Sequence, residues 1–182
     1  MYQLIIFGPP GVGKGTQAEL IARNLDLMHI STGAILRQAF NDGTELGKKA
    51  KEIMDKGNLV PDDVMNGIVK DTLQKITGGG FILDGYPRTL EQAKALTIIF
   101  QELNFNNIKV INLKAGEDVI IERLLKRGRS DDTKETIANR LKVYFDSTAP
   151  VKNYYEGLGY VKETDGEGEI EKIYNNILLD IK

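Results

Sequence analysis

The sequence predicts an α/β protein: a five-stranded parallel sheet with helices on both faces. Three observations carry that prediction. The apolar run Leu4-Ile5-Ile6-Phe7 passes through a glycine-rich segment, Gly8 to Thr16, into a helical pattern with Ala18, Ile21, Ala22 and Leu25 at i, i+3, i+4 and i+7. Phe81-Ile82-Leu83 is apolar at every position, as expected of a strand covered on both faces. Short apolar runs then alternate with amphipathic stretches to the end of the chain, the pattern of parallel strands joined by crossover helices.

Taken in order, the first strand is expected at about Tyr2–Phe7 and the first helix at Gly15–Asn24. Met28-His29-Ile30 reads as a short second strand. Ser31-Thr32-Gly33 opens a helix with Ile35, Leu36, Arg37 and Phe40, and Ser31 or Thr32 is a candidate cap. After the Asn41-Asp42-Gly43 turn, Thr44 caps a helix with Leu46, Ala50 and Ile53 on one face. Pro61 suits the first turn of a helix showing Val64, Ile68 and Ile76. Gly78-Gly79-Gly80 ends it, and the third strand stops at Asp84-Gly85-Tyr86-Pro87-Arg88. Thr89 to Gln92 forms a capping box ahead of Ala93, Leu96, Phe100 and Leu103. Ile108–Leu113 is the fourth strand. Glu117 opens a helix that runs to Arg127, and 126–132 is a charged link. A helix with Ile137, Leu141 and Tyr144 is interrupted at Ala149-Pro150. Gly159–Thr164 is the fifth strand, and a helix with Ile170, Ile173, Ile177 and Ile181 closes the chain.

Strand, glycine loop and helix together are what an oxyanion cradle requires. Glycines let backbone N–H groups curl around an anion, and the helix behind them adds its positive end. Lys14 supplies a mobile cation. The general phosphate-loop pattern places Ser or Thr directly after that lysine; here the residue is Gly15, and Thr16 follows. An acid at the end of a central strand, Asp84, reads as the carboxylate on the Mg²⁺ side of such a site.

The totals bound the rest. One domain is expected from 182 residues, and 41% hydrophobic content is enough for a core. Twenty-four basic and 26 acidic residues give a net charge of −2, which argues against a general nucleic-acid surface. With no cysteine and the single histidine His29, neither disulfides, thiol catalysis nor a zinc site is expected. Met1 leads directly into the first strand and no apolar run approaches membrane-spanning length, so no leader and no membrane partner are expected, and the protein reads as cytoplasmic. Arginine is the residue suited to forked phosphate contacts. Arg88 lies in a loop, and Arg123, Arg127 and Arg129 fall within seven residues.

At this point the chain resembles the adenylate kinases over essentially its whole length. The stretches that carry the likeness are Gly8–Gln17, His29–Gly33, Leu83–Thr89, Arg123–Arg127, and Arg129–Arg140 with its Asp131-Asp132 pair. The resemblance implies a single P-loop kinase domain over 1–182, with a monophosphate-binding insertion at 31–60 and a very short lid at 126–132. It implies transfer of the γ-phosphoryl of MgATP to AMP, giving two ADP. Gly11, Val12, Gly13, Lys14, Gly15 and Thr16 would wrap the ATP phosphates, with Arg123 and Arg127 over ATP and Gly168 at its adenine. Thr32, Arg37, Asn58, Leu59, Val60, Gly85, Arg88 and Gln92 would hold AMP. Arg129 and Arg140 would reach AMP and the transferring phosphoryl, so that Lys14, Arg88, Arg127, Arg129 and Arg140 form the catalytic set. Asp84 would meet Mg²⁺ through water. The expected partners are ATP, AMP and ADP alone, and the expected state is a monomer.

The resemblance also separates near relatives. Kinases of UMP or CMP commonly carry alanine where Thr32 stands, so Thr32 with Gln92 favours AMP, and a UMP/CMP kinase is the alternative. A guanine-nucleotide switch would need an Asn-Lys-x-Asp element, which the chain lacks. Two departures stand out. Ala34 occupies a place where the family often has aspartate, and only Gly128 separates Arg127 from Arg129, where even short-lid members carry several residues.

Overall fold

The computed structural model describes every residue except Met1, Thr77 and Ser130; Ser130, within the expected lid, therefore lies outside the described residues. The elements run β1 Gln3–Phe7, α1 Lys14–Leu25, β2 Leu27–Ser31, α2 Thr32–Asn41, α3 Glu45–Asp55, α4 Asp62–Leu73, β3 Gly80–Asp84, α5 Leu90–Glu102, β4 Ile108–Lys114, α6 Glu117–Arg127, α7 Lys134–Val143, α8 Ala149–Gly157, β5 Val161–Asp165 and α9 Ile170–Ile181. All five strands pair in parallel, in the order β2-β3-β1-β4-β5.

Alternation along β1 divides the core in two. Ile5 and Phe7 face a cluster built with Leu83, Val110 and the inner faces of α4, α5 and α8. Leu4 and Ile6 face the other way, onto Ile82, Ile111, α1 and α9. Both faces of the sheet are thus covered, as the all-apolar run 81–83 requires. Because β1 sits between β3 and β4, the chain leaves it toward opposite edges of the sheet. A crevice opens at the carboxyl ends of the strands there, the place where such sheets hold ligands. Ser31, Asp84 and Ile6 share one row across β2, β3 and β1, which brings Asp84 to the lip of that crevice.

Several helix faces depart from expectation. Leu46 is 40% exposed, and Gly47 takes the inward place beside Ala50. On α4 the fully buried stripe is Met65, Val69 and Leu73, one position on from the Val64 and Ile68 expected, which pack only partly. Ile170 is 52% exposed. Ser31 makes no side-chain cap, whereas Thr44, Thr89 and Thr133 do, each accepting from the N–H three residues on.

Ala149-Pro150 does not interrupt its helix. Pro150 has no N–H to offer the preceding turn, and the chain widens into a π turn at Tyr144–Thr148 that joins α7 to α8. Ala149 donates to the carbonyl of Tyr144, and the Thr148 hydroxyl reaches the carbonyl of Arg88 at 2.9 Å.

α2 and α3 form a helical hairpin that projects from the end of β2. Its closest approach is at Gly47, where a Cβ would stand 2.2 Å from the backbone of Ala39 and Phe40. Gly47→Ala is expected to wedge the helices apart, at about 1–3 kcal/mol for an overpacked contact, or a fall of about 2–10 °C in Tm for a domain of this size. Hydrogen exchange should locate the damage in 32–55; unchanged exchange there would show that the hairpin adapts without cost.

Candidate active site

The glycine segment folds as an open loop because three of its glycines adopt positive φ: Gly8 at 139°, Gly11 at 87° and Gly13 at 106°. Two are also hemmed in. A Cβ on Gly8 would meet the Leu113 carbonyl at 2.5 Å, and one on Gly11 would meet Leu124 at 2.7 Å. Val12 is 1% exposed and anchors the loop in the core, so its side chain packs rather than binds. Arg123 ties the loop to the segment after β5, its Nη1 donating to the carbonyls of Val12 at 3.0 Å and Gly166 at 2.8 Å. Gly15 and Thr16 lie exposed in the first turn of α1, where N–H groups have no helical acceptor. A Cβ on Gly15 would stand 3.5 Å from Asp84 Oδ2, so the position after the lysine opens directly onto that carboxylate.

The Lys14 ammonium donates to the carbonyls of Gly8 at 2.7 Å and Pro9 at 2.8 Å. Burial lowers its pKa to about 8; the charge of Asp84 opposes the shift, and Arg88 and Arg127 add to it. Asp84 shows the opposite balance. Burial alone would push its carboxyl up, but the His29 ring, whose Nε2 is 3.7 Å away, together with Lys14 and Arg88, holds it below the usual carboxylate range.

A cleft of about 920 Å³ extends from this loop across to α2, α3 and α7. Gly11 to Thr16, Arg37, Asp84, Gly85, Arg88, Arg123, Arg127, Arg129, Arg140 and Gly168 all line it. Burial lowers the pKa of Arg37, Arg88 and Arg129, and each also feels neighbouring guanidinium groups: Arg88 those of Arg140 and Arg37, and Arg129 those of Arg127 and Arg37. Protein surrounds the Arg88 guanidinium, yet solvent reaches it through the open cleft.

Two carboxylates hold this cationic group in order. Asp132, its side chain 1% exposed, accepts a forked pair from Arg127 at 2.9 and 2.6 Å and a further bond from Arg140 at 2.9 Å. Asp131 pairs with the other nitrogen of Arg140. Asp132 does not cap the next helix, since Thr133 does so. Arg129 is held through its backbone, its N–H bonded to Asp132 Oδ2 at 3.2 Å and its carbonyl accepting from the Asp132 N–H at 2.9 Å.

A second, smaller pocket opens behind Arg88 and is lined by Thr32, Asn58, Leu59, Val60 and Gln92, with Leu36, Met54 and Met65 as apolar wall. Gly33, Met54, Asn58, Gly85 and Arg88 line both cavities. The Thr32 hydroxyl donates to the Gly85 carbonyl at 2.9 Å, and Arg88 Nε donates to the same oxygen at 2.7 Å. Gln92 is 2% exposed, and its amide is fixed at both ends. Its oxygen accepts from the Arg88 N–H at 2.7 Å, and its nitrogen donates to Asp62 at 2.7 Å. The capping box is therefore reciprocal only in part, for Gln92 reaches one residue further back than the cap.

The sequence reading missed Asp62 and Thr148. Asp62 sits 30 residues from Gln92, and Thr148 sits 60 from Arg88. Each looks locally like an ordinary helix-end residue, and nothing in the chain signals the long-range bond. His29, given no role in the site by its sequence, lines the main cleft beside Asp84.

Among the described residues no group of three or more His, Cys, Asp or Glu side chains could hold a metal. A lone carboxylate, 14% exposed at the mouth of a phosphate loop, fits Mg²⁺ instead, an ion that keeps waters and phosphate oxygens as most of its ligands. No helix is long and apolar enough to cross a membrane among the described residues.

Comparison with known proteins agrees with this geometry. The family model described as adenylate kinase matches residues 6–160. An adenylate kinase of Leptospira biflexa serovar Patoc is 47% identical over 186 aligned positions, covering all of both chains. Adenylate kinase 1 of Synechocystis sp. is 49% identical, across 96% of this chain and 94% of that one. The adenylate kinase of Desulforamulus reducens is 42% identical, across 98% and 99%. With its phosphate loop, its parallel sheet and full-length likeness at this level, the chain belongs to the adenylate kinase family of nucleotide-binding phosphotransferases.

Proposed function

We propose that the enzyme transfers the γ-phosphoryl of MgATP to the phosphate of AMP, reversibly, giving two ADP. The observation that carries this reading is the position of Arg88. It lines both the large cleft and the small pocket and lies near enough to Lys14, Arg37 and Arg140 to feel their charges. A triphosphate on the glycine loop and a monophosphate whose base enters the small pocket would meet head to head there.

The attacking oxygen of AMP is already anionic at neutral pH, so no general base is needed. The barrier lies in bringing two anions into line and screening the charge that moves between them. The loop N–H groups and Lys14 bind the triphosphate; Arg37, Arg88, Arg127, Arg129 and Arg140 face the transferring group and the acceptor. Asp84 would hold Mg²⁺ through water, and such an ion would supply charge neutralisation to the triphosphate. Closure of the 31–60 insertion over AMP and of the 126–132 link over ATP would exclude water, the competing acceptor.

Thr32 and Gln92 favour AMP over pyrimidine monophosphates. With Asp62 and the Arg88 N–H each taking one side of the Gln92 amide, one N–H and one lone pair remain for an adenine edge. The test is ADP formation from ATP with AMP, UMP, CMP or GMP as acceptor, beside a control without acceptor. AMP should be strongly preferred. A faster rate with UMP or CMP would make the enzyme a pyrimidine monophosphate kinase, and no acceleration by any acceptor would overturn the transfer reading.

Two further outcomes follow from the site. Arg88→Ala should lower kcat by at least about a hundredfold, given what one transition-state arginine contributes to phosphoryl transfer; turnover near normal would remove Arg88 from the chemistry. Lys14 gives a pH signature. In the free enzyme its proton is lost above about pH 8, and a bound polyphosphate favours the charged form. ATP binding is therefore tightest below pH 8 and weakens by up to about tenfold per unit above it. Calorimetry at pH 8.5 in buffers of different ionisation enthalpy should show net proton uptake on binding ATP, and no uptake would show that Lys14 stays charged throughout.

A further inference from the structure

We propose that Asn139 is a positioning residue that clasps the α2/α3 hairpin to α7, so that the monophosphate side of the site is held in register with the arginines of the lid side. The inference rests on the reaction proposed above.

The clasp is built at the C-terminal end of α3. That helix ends in a left-handed turn, with Gly57 at φ 78°, the Gly57 N–H bonded to Met54 O at 2.9 Å and the Asn58 N–H to Ile53 O at 3.2 Å. Met54 O thereby has a local partner, whereas the next two carbonyls, of Asp55 and Lys56, accept from another helix, and α3 carries no basic residue in its own last turn. α7 supplies what is missing from one stripe, at positions i, i+3 and i+4. Thr136 donates to Asp55 O at 3.2 Å, Asn139 to Lys56 O at 2.7 Å, and Arg140 to Met54 O at 3.4 Å. Three consecutive carbonyls at the end of α3, those of Met54, Asp55 and the capping Lys56, thus accept from three side chains of α7.

Asn139 does most here. Its Nδ2 has two protons, one on Lys56 O and the other on Asn58 Oδ1 at 2.9 Å. Asn58 lines both cavities and leads into Leu59 and Val60, the wall of the small pocket. The approach is close, for a Cβ on Gly57 would stand 3.2 Å from both Asn139 Nδ2 and Arg140 Cγ. Arg140 then carries the connection onward through Asp132 to Arg127. Thr136 and Arg140 each have other bonds to keep them in place. Both hydrogen bonds of the Asn139 amide go to the hairpin.

Asn139→Asp is nearly isosteric and cannot donate to either oxygen; Asn139→Ala removes the amide; Asn139→Gln keeps a donor. In steady-state assays of ATP plus AMP, the Asp and Ala variants should raise KM for AMP roughly three- to thirtyfold, as expected for two lost hydrogen bonds. KM for ATP should change less than about twofold, and Gln should restore part of the loss. Hydrogen exchange in residues 45–58 should quicken in the Asp and Ala variants. An unchanged KM for AMP, or equal rises for both substrates with a fallen Tm, would overturn the clasp. If the wild-type protein forms no ADP from ATP and AMP, the functional reading fails by itself, and the exchange measurement then decides whether Asn139 fastens the hairpin.

Discussion

Mutual repulsion among cations is the constraint on which the rest of this structure depends. Seven basic side chains line one cleft, against three acidic ones, Glu19, Asp84 and Asp131, in a protein whose formal net charge is −2. Such a concentration of like charge does not form by collapse of the core; it has to be imposed by whatever holds each group. Burial first lowers the pKa of Lys14, Arg37, Arg88 and Arg129, and the charges of neighbouring guanidinium groups lower each of them further. A polyanion would relieve that repulsion, so the site is complementary in charge to a nucleotide phosphate chain before one arrives.

The means of holding differ from one side of the cleft to the other. Around the glycine loop the backbone does the work. Positive φ, close packing on β4 and α6, and the Arg123 bridge leave the loop one shape. Arg88 is held through its main chain, with its N–H on Gln92 and its carbonyl on Thr148, while Nε binds Gly85. Across the link between α6 and α7 the holding is ionic, with Asp132 almost wholly removed from solvent between two arginines. A buried carboxylate in that position contributes little net stability, because its desolvation offsets the attraction. Its value is geometric: removing it would leave Arg127 and Arg140 to repel each other across the cleft that both line.

The parts legible in the sequence were those fixed by local chemistry. Glycine spacing, an apolar strand and a lysine at the helix start are enough to place the loop, because each acts within a few residues of itself. The order of elements followed from alternation. Helix faces were read less well wherever a small residue took the inward place. Gly47 has no side chain to register in a hydrophobic pattern, yet it sets the approach of α2 and α3, and Leu46 beside it turns outward. Pro150 was read as a break because proline removes a donor; the chain instead widened by one residue and kept its helix. Asp62, Thr148 and Asn139 act across 27 to 83 residues of sequence, and no local rule reports a bond of that reach.

The two departures from the family pattern acquire a physical setting. Ala34 is exposed at the edge of the large cleft, beside the turn where Gly33 lets the Arg37 guanidinium lie 3.2 Å from its missing Cβ. An aspartate there would add a competing acceptor for Arg37, whose guanidinium already feels the charges of Asp131 and Asp84. The short link between α6 and α7 brings Arg127 and Asp132 into a forked pair five residues apart. A longer connection would loosen that pair through added chain entropy. The hairpin on the far side is tied to α7 by side chains on its carbonyls. Order in the arginines around Asp132 therefore comes from the brevity of the link together with the hairpin's hold on α7, and link and hairpin share that one helix as their common support.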